Sequence, residues 1–275
     1  MAVINGFLNG LFNVLLWPFR GMSPWIGMIV VALLTSFLML FIFRYTSNQA
    51  GIKREKNKIK AHLLELRLFK DNMSVQFKAQ GRILLANLKY IGHNSRPMLV
   101  MLIPVLLVLI QLELRFGSNG LKPGDPALVK VRLAKGYLPT EVAASLESTS
   151  EVEIETPPLR IEDEGEIDWR VRAKVPGQGR MTLVIGGERI AKSVTVGRRP
   201  LSGISALRTG RGIIDEALNP GEPPLPSHSA VKVIEVQYPA ARMNLLGLRL
   251  HWLVVYFVLS IAFGFAFKGV FKVEI

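Results

Sequence analysis

Three apolar runs, at residues 24–43, 98–114 and 250–267, constrain this 275-residue chain more than any other feature. Each approaches the length of about 17–25 residues that a helix needs to cross the hydrocarbon core of a bilayer. Charge is almost absent within them, and Glu113 stands at the end of the second. They account for a mean hydropathy of +0.31, high for a soluble protein. Buried helices of a soluble protein are the competing explanation, and three long runs so free of charge argue against it. The expectation is three transmembrane helices: one over 23–45, one over 97–115, and one within 241–275.

Charge placement orients them. Residues 44–96 carry twelve Lys/Arg against three acids (Glu55, Glu65, Asp71), a net +9, whereas residues 117–247 carry seventeen against sixteen, a net +1. Lys and Arg concentrate in short cytoplasmic loops, so 46–96 reads as cytoplasmic, the N-terminus and 116–247 as extracytoplasmic, and the C-terminus as cytoplasmic. Basic residues that flank membrane helices point to anionic lipid or ribosomal RNA rather than DNA.

The basic segment is also patterned as a helical hairpin. Ile52, Ile59, Leu63, Leu66, Met73, Phe77, Leu84, Leu88 and Ile91 recur at steps of seven, four and three, the spacing of an apolar seam. The spacing predicts helices over 50–70 and 74–94 joined at Asp71-Asn72, residues that suit turns and caps.

Residues 1–22 read as an interfacial helix. Asn5, Asn9 and Asn13 form one stripe, with Ile4, Phe7, Leu8, Leu11 and Leu15 mostly opposite. Such a helix lies at the membrane surface, with Trp17 and Phe19 at headgroup depth. A short fourth span competes, but three Asn are costly in lipid.

Residues 116–240 change character. Period-two alternation at 127–133, 151–155, 167–175, 181–185, 192–196 and 231–236, punctuated by Gly and Pro, predicts a small antiparallel β-sandwich. Gly186-Gly187 reads as a hairpin turn. The Pro- and Gly-rich stretch 199–228 reads as a long loop, and 242–248 as a short interfacial helix leading into the third span. The fold class is thus α-helical membrane protein plus an extracytoplasmic β-domain.

Reactive chemistry is sparse. There is no cysteine, so disulfides and thiolate sites are excluded. The four histidines are dispersed, and His62 with Glu65 is too small a set for a metal. Thr209-Gly210-Arg211-Gly212 lacks the ending of a phosphate loop. No catalytic residue, metal ligand or cofactor site is expected, and an enzyme is the weakest class. Thr35 and Ser36 are the polar side chains at depth in the first span, where bonding back to the backbone is their ordinary role. Arg44 marks its inner end. Lys53, Arg54, Lys56, Lys58 and Lys60 follow, a run whose ordinary role is a solvated face.

The exit of the first helix (FRYTSNQAGIKREKNKIKAHLLELRLF), the return into PMLVMLIPVLLVLIQLEL and the closing HWLVVYFVLSIAFGFAF together resemble the Oxa1 superfamily of membrane-protein insertases, in its three-helix branch. The resemblance covers about half the chain and rests on architecture and charge pattern. It implies a groove in the inner half of the bilayer that lowers the cost of moving polar flanks across, several kcal/mol for charged groups at mid-bilayer. It makes Thr35 and Ser36 groove-lining candidates, with Arg44 at the mouth. Lys53, Arg54, Lys56, Lys58 and Lys60 become a ribosome- or lipid-facing surface. Nascent membrane proteins would be the partners, in a bacterial inner membrane. The chain departs from the bacterial pattern in two points. Its β-domain falls between the second and third helices, and no charge lies between Pro24 and Phe43. These departures favour a second expectation: a non-catalytic subunit of an envelope complex that bridges fixed cytoplasmic and extracytoplasmic partners.

Overall fold

The structure, a computed structural model, describes residues 2–197, 201, 203–245 and 247–274. Among the described residues, six α-helices, a short 3-10 helix (Trp17–Phe19) and eleven strands follow in order. They divide into two compact units. One holds the residues up to Met28 with Leu109–Val255, and the other holds Ile29–Val108 with the residues from Tyr256 on.

The first unit contains helix α1 (Ala2–Leu16) and the β-domain. A six-stranded antiparallel sheet has the order β3 (Val152–Ile154), β5 (Glu166–Ala173), β1 (Pro126–Leu133), β9 (Val231–Val236), β8 (Leu207–Thr209), and β4 (Leu159–Ile161) also pairs with β5. A three-stranded sheet has the order β2 (Ala144–Glu147), β6 (Gly177–Ile185), β7 (Glu188–Val196). Alternate residues point inward, as the pleat requires. Val129 and Val131 of β1, Trp169 and Val171 of β5, Leu183 of β6 and Val194 of β7 join one apolar core. The mixed helical and antiparallel-β character therefore matches the reading of the alternation. Gly186 and Gly187 both have positive φ, +57° and +85°, and close the β6–β7 hairpin with Ile185 opposite Glu188. This is the backbone that two-residue hairpin turns demand and that glycine supplies without strain.

Two stretches differ from expectation. The 199–228 stretch contains β8 and helix α5 (Ile213–Leu218); residues 199, 200 and 202 lie outside the described set. The expected helix at 242–248 is instead a hairpin of β10 (Met243–Leu245) and β11 (Leu248–Leu250). Gly247 takes φ +88° and its N–H donates to Asn244 Oδ1 at 3.0 Å, a local turn that outcompetes a single helical turn. Leu246 lies outside the described residues.

The second unit is helical. Helix α2 (Pro24–Thr46) has 23 residues. Asn48 caps helix α3 (Gln49–Leu68) by accepting from Gly51 N–H, and Asn72 Oδ1 accepts from Val75 N–H at the start of helix α4 (Met73–Phe116). Helix α4 is one unbroken element of 44 residues with Pro97 and Pro104 inside it. Its length is roughly 66 Å at 1.5 Å per residue. The sequence reading starts a new helix at Pro97, but the loss of one backbone bond at a proline bends a helix without always ending it. Among the described residues, two helices, α2 and α4, are long and apolar enough to cross a membrane; α6 (Trp252–Phe267), read as the third span, is a shorter apolar helix of 16 residues.

Candidate functional site

The hairpin of α3 and the first half of α4 carries the basic cluster, and its apolar residues are distributed in an unexpected way. On α4 the less exposed positions include Ala79, Ile83, Ala86, Tyr90, His93 and Pro97, at steps of four and three. On α3 they include Ile52, Glu55, Ile59, His62 and Leu66. These two rows form the seam, and Arg82 pairs with Glu65 across it at 3.4 Å. The expected seam holds for Ile52, Ile59 and Leu66. Leu63, Met73, Phe77, Leu84, Leu88 and Ile91 instead face outward, with Phe77 67% and Leu84 63% exposed. The period holds and its phase on α4 differs: Ala79 and Ala86, with Ile83 and Tyr90, occupy the inward row in place of Met73, Phe77, Leu84, Leu88 and Ile91. An exposed row of Leu, Met and Phe in a segment of net charge +9 is the most unusual surface of this unit, because apolar side chains gathered on one face mark contact sites. Met adds a flexible, adaptable surface.

The basic candidates sit on the base of this hairpin. Lys53, Arg54, Lys58 and Lys60 are exposed and Lys56 is half-buried. Two of them are already engaged by Glu55, which is 2% exposed and pairs with Lys58 at 2.8 Å and Arg54 at 3.5 Å. The Lys58 hydrogen bond holds the Glu55 carboxyl below its ordinary range, against the opposing effect of burial. Lys56 pairs with Glu274 at 3.5 Å, and Glu274 N–H donates to Gln49 Oε1. The chain beyond α6 thus returns along the base of α3, with Val273 buried.

Thr35 and Ser36 do not line open space. Both are buried, and their hydroxyls donate to Val31 O and Ala32 O, each at 2.7 Å. Ser36 also reaches Ser260 O on α6 at 3.0 Å. One residue further, the Phe37 ring meets Phe267 edge-on at 4.9 Å and lies 5.6 Å from Phe271. This face of α2 is a helix-packing surface. Arg44 is exposed and lies beside the Tyr45 ring.

Two polar clusters in the first unit have partners that the sequence does not reveal. The Asn stripe of α1 is turned toward protein. Asn5 donates to Glu216 O at 2.6 Å and Asn9 to Pro220 O at 2.7 Å. Asn9 accepts from Gln111 at 3.0 Å, and Asn13 from Arg115 at 3.0 Å. The outer face of α1 is apolar, with Val3, Phe7, Leu11 and Val14 exposed. The second cluster is in the β-domain. Lys192 on β7 donates to Ser205 O and to Glu222, both at 2.6 Å, and Ser193 Oγ donates to the same carboxylate. Burial pushes the Lys192 ammonium below the ordinary lysine range, while Glu222 opposes the shift. Tyr238 accepts from Thr195 N–H at 2.9 Å, and burial pushes its phenol up to about 12. The i, i+4, i+8 Asn spacing was a visible signal for the first cluster. For the second, Lys192 shares the inward parity of Ile190, Val194 and Val196, but a lysine at that parity reads as an interruption of the apolar face.

Among the described residues, no three His, Asp or Glu are grouped to hold a metal ion. No protein-family model, curated protein or solved structure matches the chain.

Proposed function

We propose that this chain is an integral membrane protein of the Oxa1 insertase type, or a membrane chaperone, whose basic hairpin receives apolar client segments before they enter the bilayer. The observation that carries the reading is the outward row Leu63, Met73, Phe77, Leu84 and Leu88 on a hairpin rich in Lys and Arg. Apolar residues of a client contact this row, and basic residues hold the hairpin near anionic headgroups or ribosomal RNA. Two helices of sufficient length and apolarity support membrane residence. So do the large apolar side chains exposed on α2, α4 and α6, among them Phe41, Ile103 and Val258. The +9 against +1 charge contrast supports a cytoplasmic hairpin and an extracytoplasmic β-domain. Residence in a bacterial inner membrane follows from the resemblance to insertases.

The test is photo-crosslinking from Phe77 or Leu84 in the full chain in membranes. Adducts with many nascent membrane proteins are expected. Adducts with one fixed protein alone would overturn insertion and favour a bridging subunit of an envelope complex. A specific observation keeps that second reading in play: Thr35 and Ser36, the groove candidates, already spend their hydroxyls on α2 and α6 backbone.

A further inference from the structure

At the β-domain end of α4 the first unit contains a cavity of about 460 Å³. Arg115, Lys122 and Arg242 line it, and no acidic residue does so among the described residues. Phe116, Met243 and Pro24 form part of its apolar wall. Arg115 is 5% exposed, and it has no carboxylate within ion-pair distance among the described residues. Its two terminal nitrogens are held by neutral groups: Gln111 Oε1 at 2.6 Å, Gln111 O at 3.1 Å, Asn13 Oδ1 at 3.0 Å and Asn9 O at 3.4 Å. Its Nε is buried without a partner. Lys122 and Arg242 are exposed and form no ion pair among the described residues.

A buried guanidinium is ordinarily paired, because amide oxygens satisfy its hydrogens without cancelling its charge. Here three cations converge on one cavity and the most buried of them lacks a counter-charge. We propose that this cavity is a binding site for a phosphate-bearing anion, with Arg115 supplying the fixed charge and Lys122 and Arg242 closing on the ligand from the rim. Guanidinium and ammonium groups bind phosphate oxygens through charge-assisted hydrogen bonds. The apolar wall fits the glycerol and first methylenes of a phospholipid, and Arg115 stands in the last turn of α4, a helix long and apolar enough to cross a membrane. This site is independent of the insertase reading, since it shares no residue with the hairpin.

The test uses the full chain in detergent with three probes: phosphatidylglycerol, phosphatidylcholine as the zwitterionic control, and inorganic phosphate. Retained lipid is counted by native mass spectrometry, and phosphate binding by calorimetry. Phosphatidylglycerol is expected to be retained over phosphatidylcholine, and the double variant Lys122→Gln/Arg242→Gln to weaken it at least tenfold. Both side chains are exposed, so that variant keeps its thermal unfolding midpoint; Arg115→Gln is the companion that removes the fixed charge. Binding of inorganic phosphate with no preference between the lipids, lost in the same variants, assigns the site to a free anion. Equal retention of both lipids with no phosphate binding, or binding unchanged in the variants, overturns the proposal.

Discussion

The Lys192 ammonium, fully buried on β7, donates to the Glu222 carboxylate across 2.6 Å. Glu222 comes from the Pro- and Gly-rich stretch, and Lys192 also holds Ser205 O from the same stretch. One side chain thereby fastens an irregular segment over the three-stranded sheet. The segment has few regular backbone ladders of its own, so this fastening substitutes for them.

Removing one partner is expected to cost far more than removing both. Glu222→Gln leaves a buried ammonium without its counter-charge and should destabilise the β-domain by about 3–5 kcal/mol. The double variant Lys192→Met/Glu222→Leu should recover most of that loss. Urea unfolding of the full chain in detergent, followed by Trp fluorescence, measures both. A Glu222→Gln protein as stable as the parent would show that Lys192 is neutral in the fold.

Acid sensitivity is expected from Glu166, which is 2% exposed. Burial pushes its carboxyl up, but the Arg132 hydrogen bond and the Arg132 and Lys130 charges outweigh this and leave it below its ordinary value of 4.5. A carboxyl lowered in the folded state contributes stability that is present above that ordinary value and is lost as pH falls through the folded one. Asp168 runs the other way: burial, against the Lys130 charge, raises it, so its contribution is present at low pH and lost as pH rises through the folded value. Arg132→Gln should lower stability at pH 7 by about 1 kcal/mol, the scale of a half-exposed pair, and reduce the loss between pH 5 and pH 3. Asp168→Asn should raise stability at pH 7. Thermal unfolding across pH reads both, and identical pH profiles for Arg132→Gln and parent would refute the first.

The β6–β7 turn should discriminate sharply between side chains. Gly187→Val places a β-branched residue at φ +85° and should cost about 1–2 kcal/mol. Gly187→Asn should be tolerated, because Asn visits that region readily. Chemical unfolding of the two variants compares them directly; equal stabilities would mean that the turn relaxes to another type.

On the hairpin, the inward alanines and the outward aromatics should behave oppositely. Ala79→Phe overfills a position with no exposed surface and should cost about 1–3 kcal/mol. Phe77→Ser with Leu84→Ser removes apolar side chains that touch solvent, so the unfolding midpoint should hold while nascent chains crosslinked from a probe at Leu88 fall severalfold. Undiminished capture by the double variant would exclude this row as the receiving surface.

The β-domain was readable because alternation reports burial directly: Val129, Val131 and Ile167 stand inward at the predicted parity, and Gly186-Gly187 could do little but turn. The hairpin's existence was readable, but its facing was not. A heptad count cannot tell a row of Leu and Phe that packs internally from one that faces outward while alanines pack. Thr35 and Ser36 stand out as polar residues in an apolar run, and the fold places them against α6. Lys192 was hidden because an inward lysine occupies a strand position that alternation assigns without regard to chemistry. Arg115 ends a helix, where a basic residue is favoured by the helix dipole, and that ordinary explanation masked its burial.

The Asn stripe of α1 has a consequence for how this protein is divided. Composition places the boundary of the β-rich part near residue 116. A fragment cut there would lose Arg115 and Gln111, and the carbonyls of Glu216 and Pro220 would lose the amides that cap them. The piece that keeps its own hydrogen bonds includes the first helix, as the grouping of residues up to Met28 with Leu109–Val255 already states. Helix α1 is thus not a detachable anchor but a wall of the domain it precedes by about a hundred residues, with apolar side chains on its outside and amide chemistry on its inside.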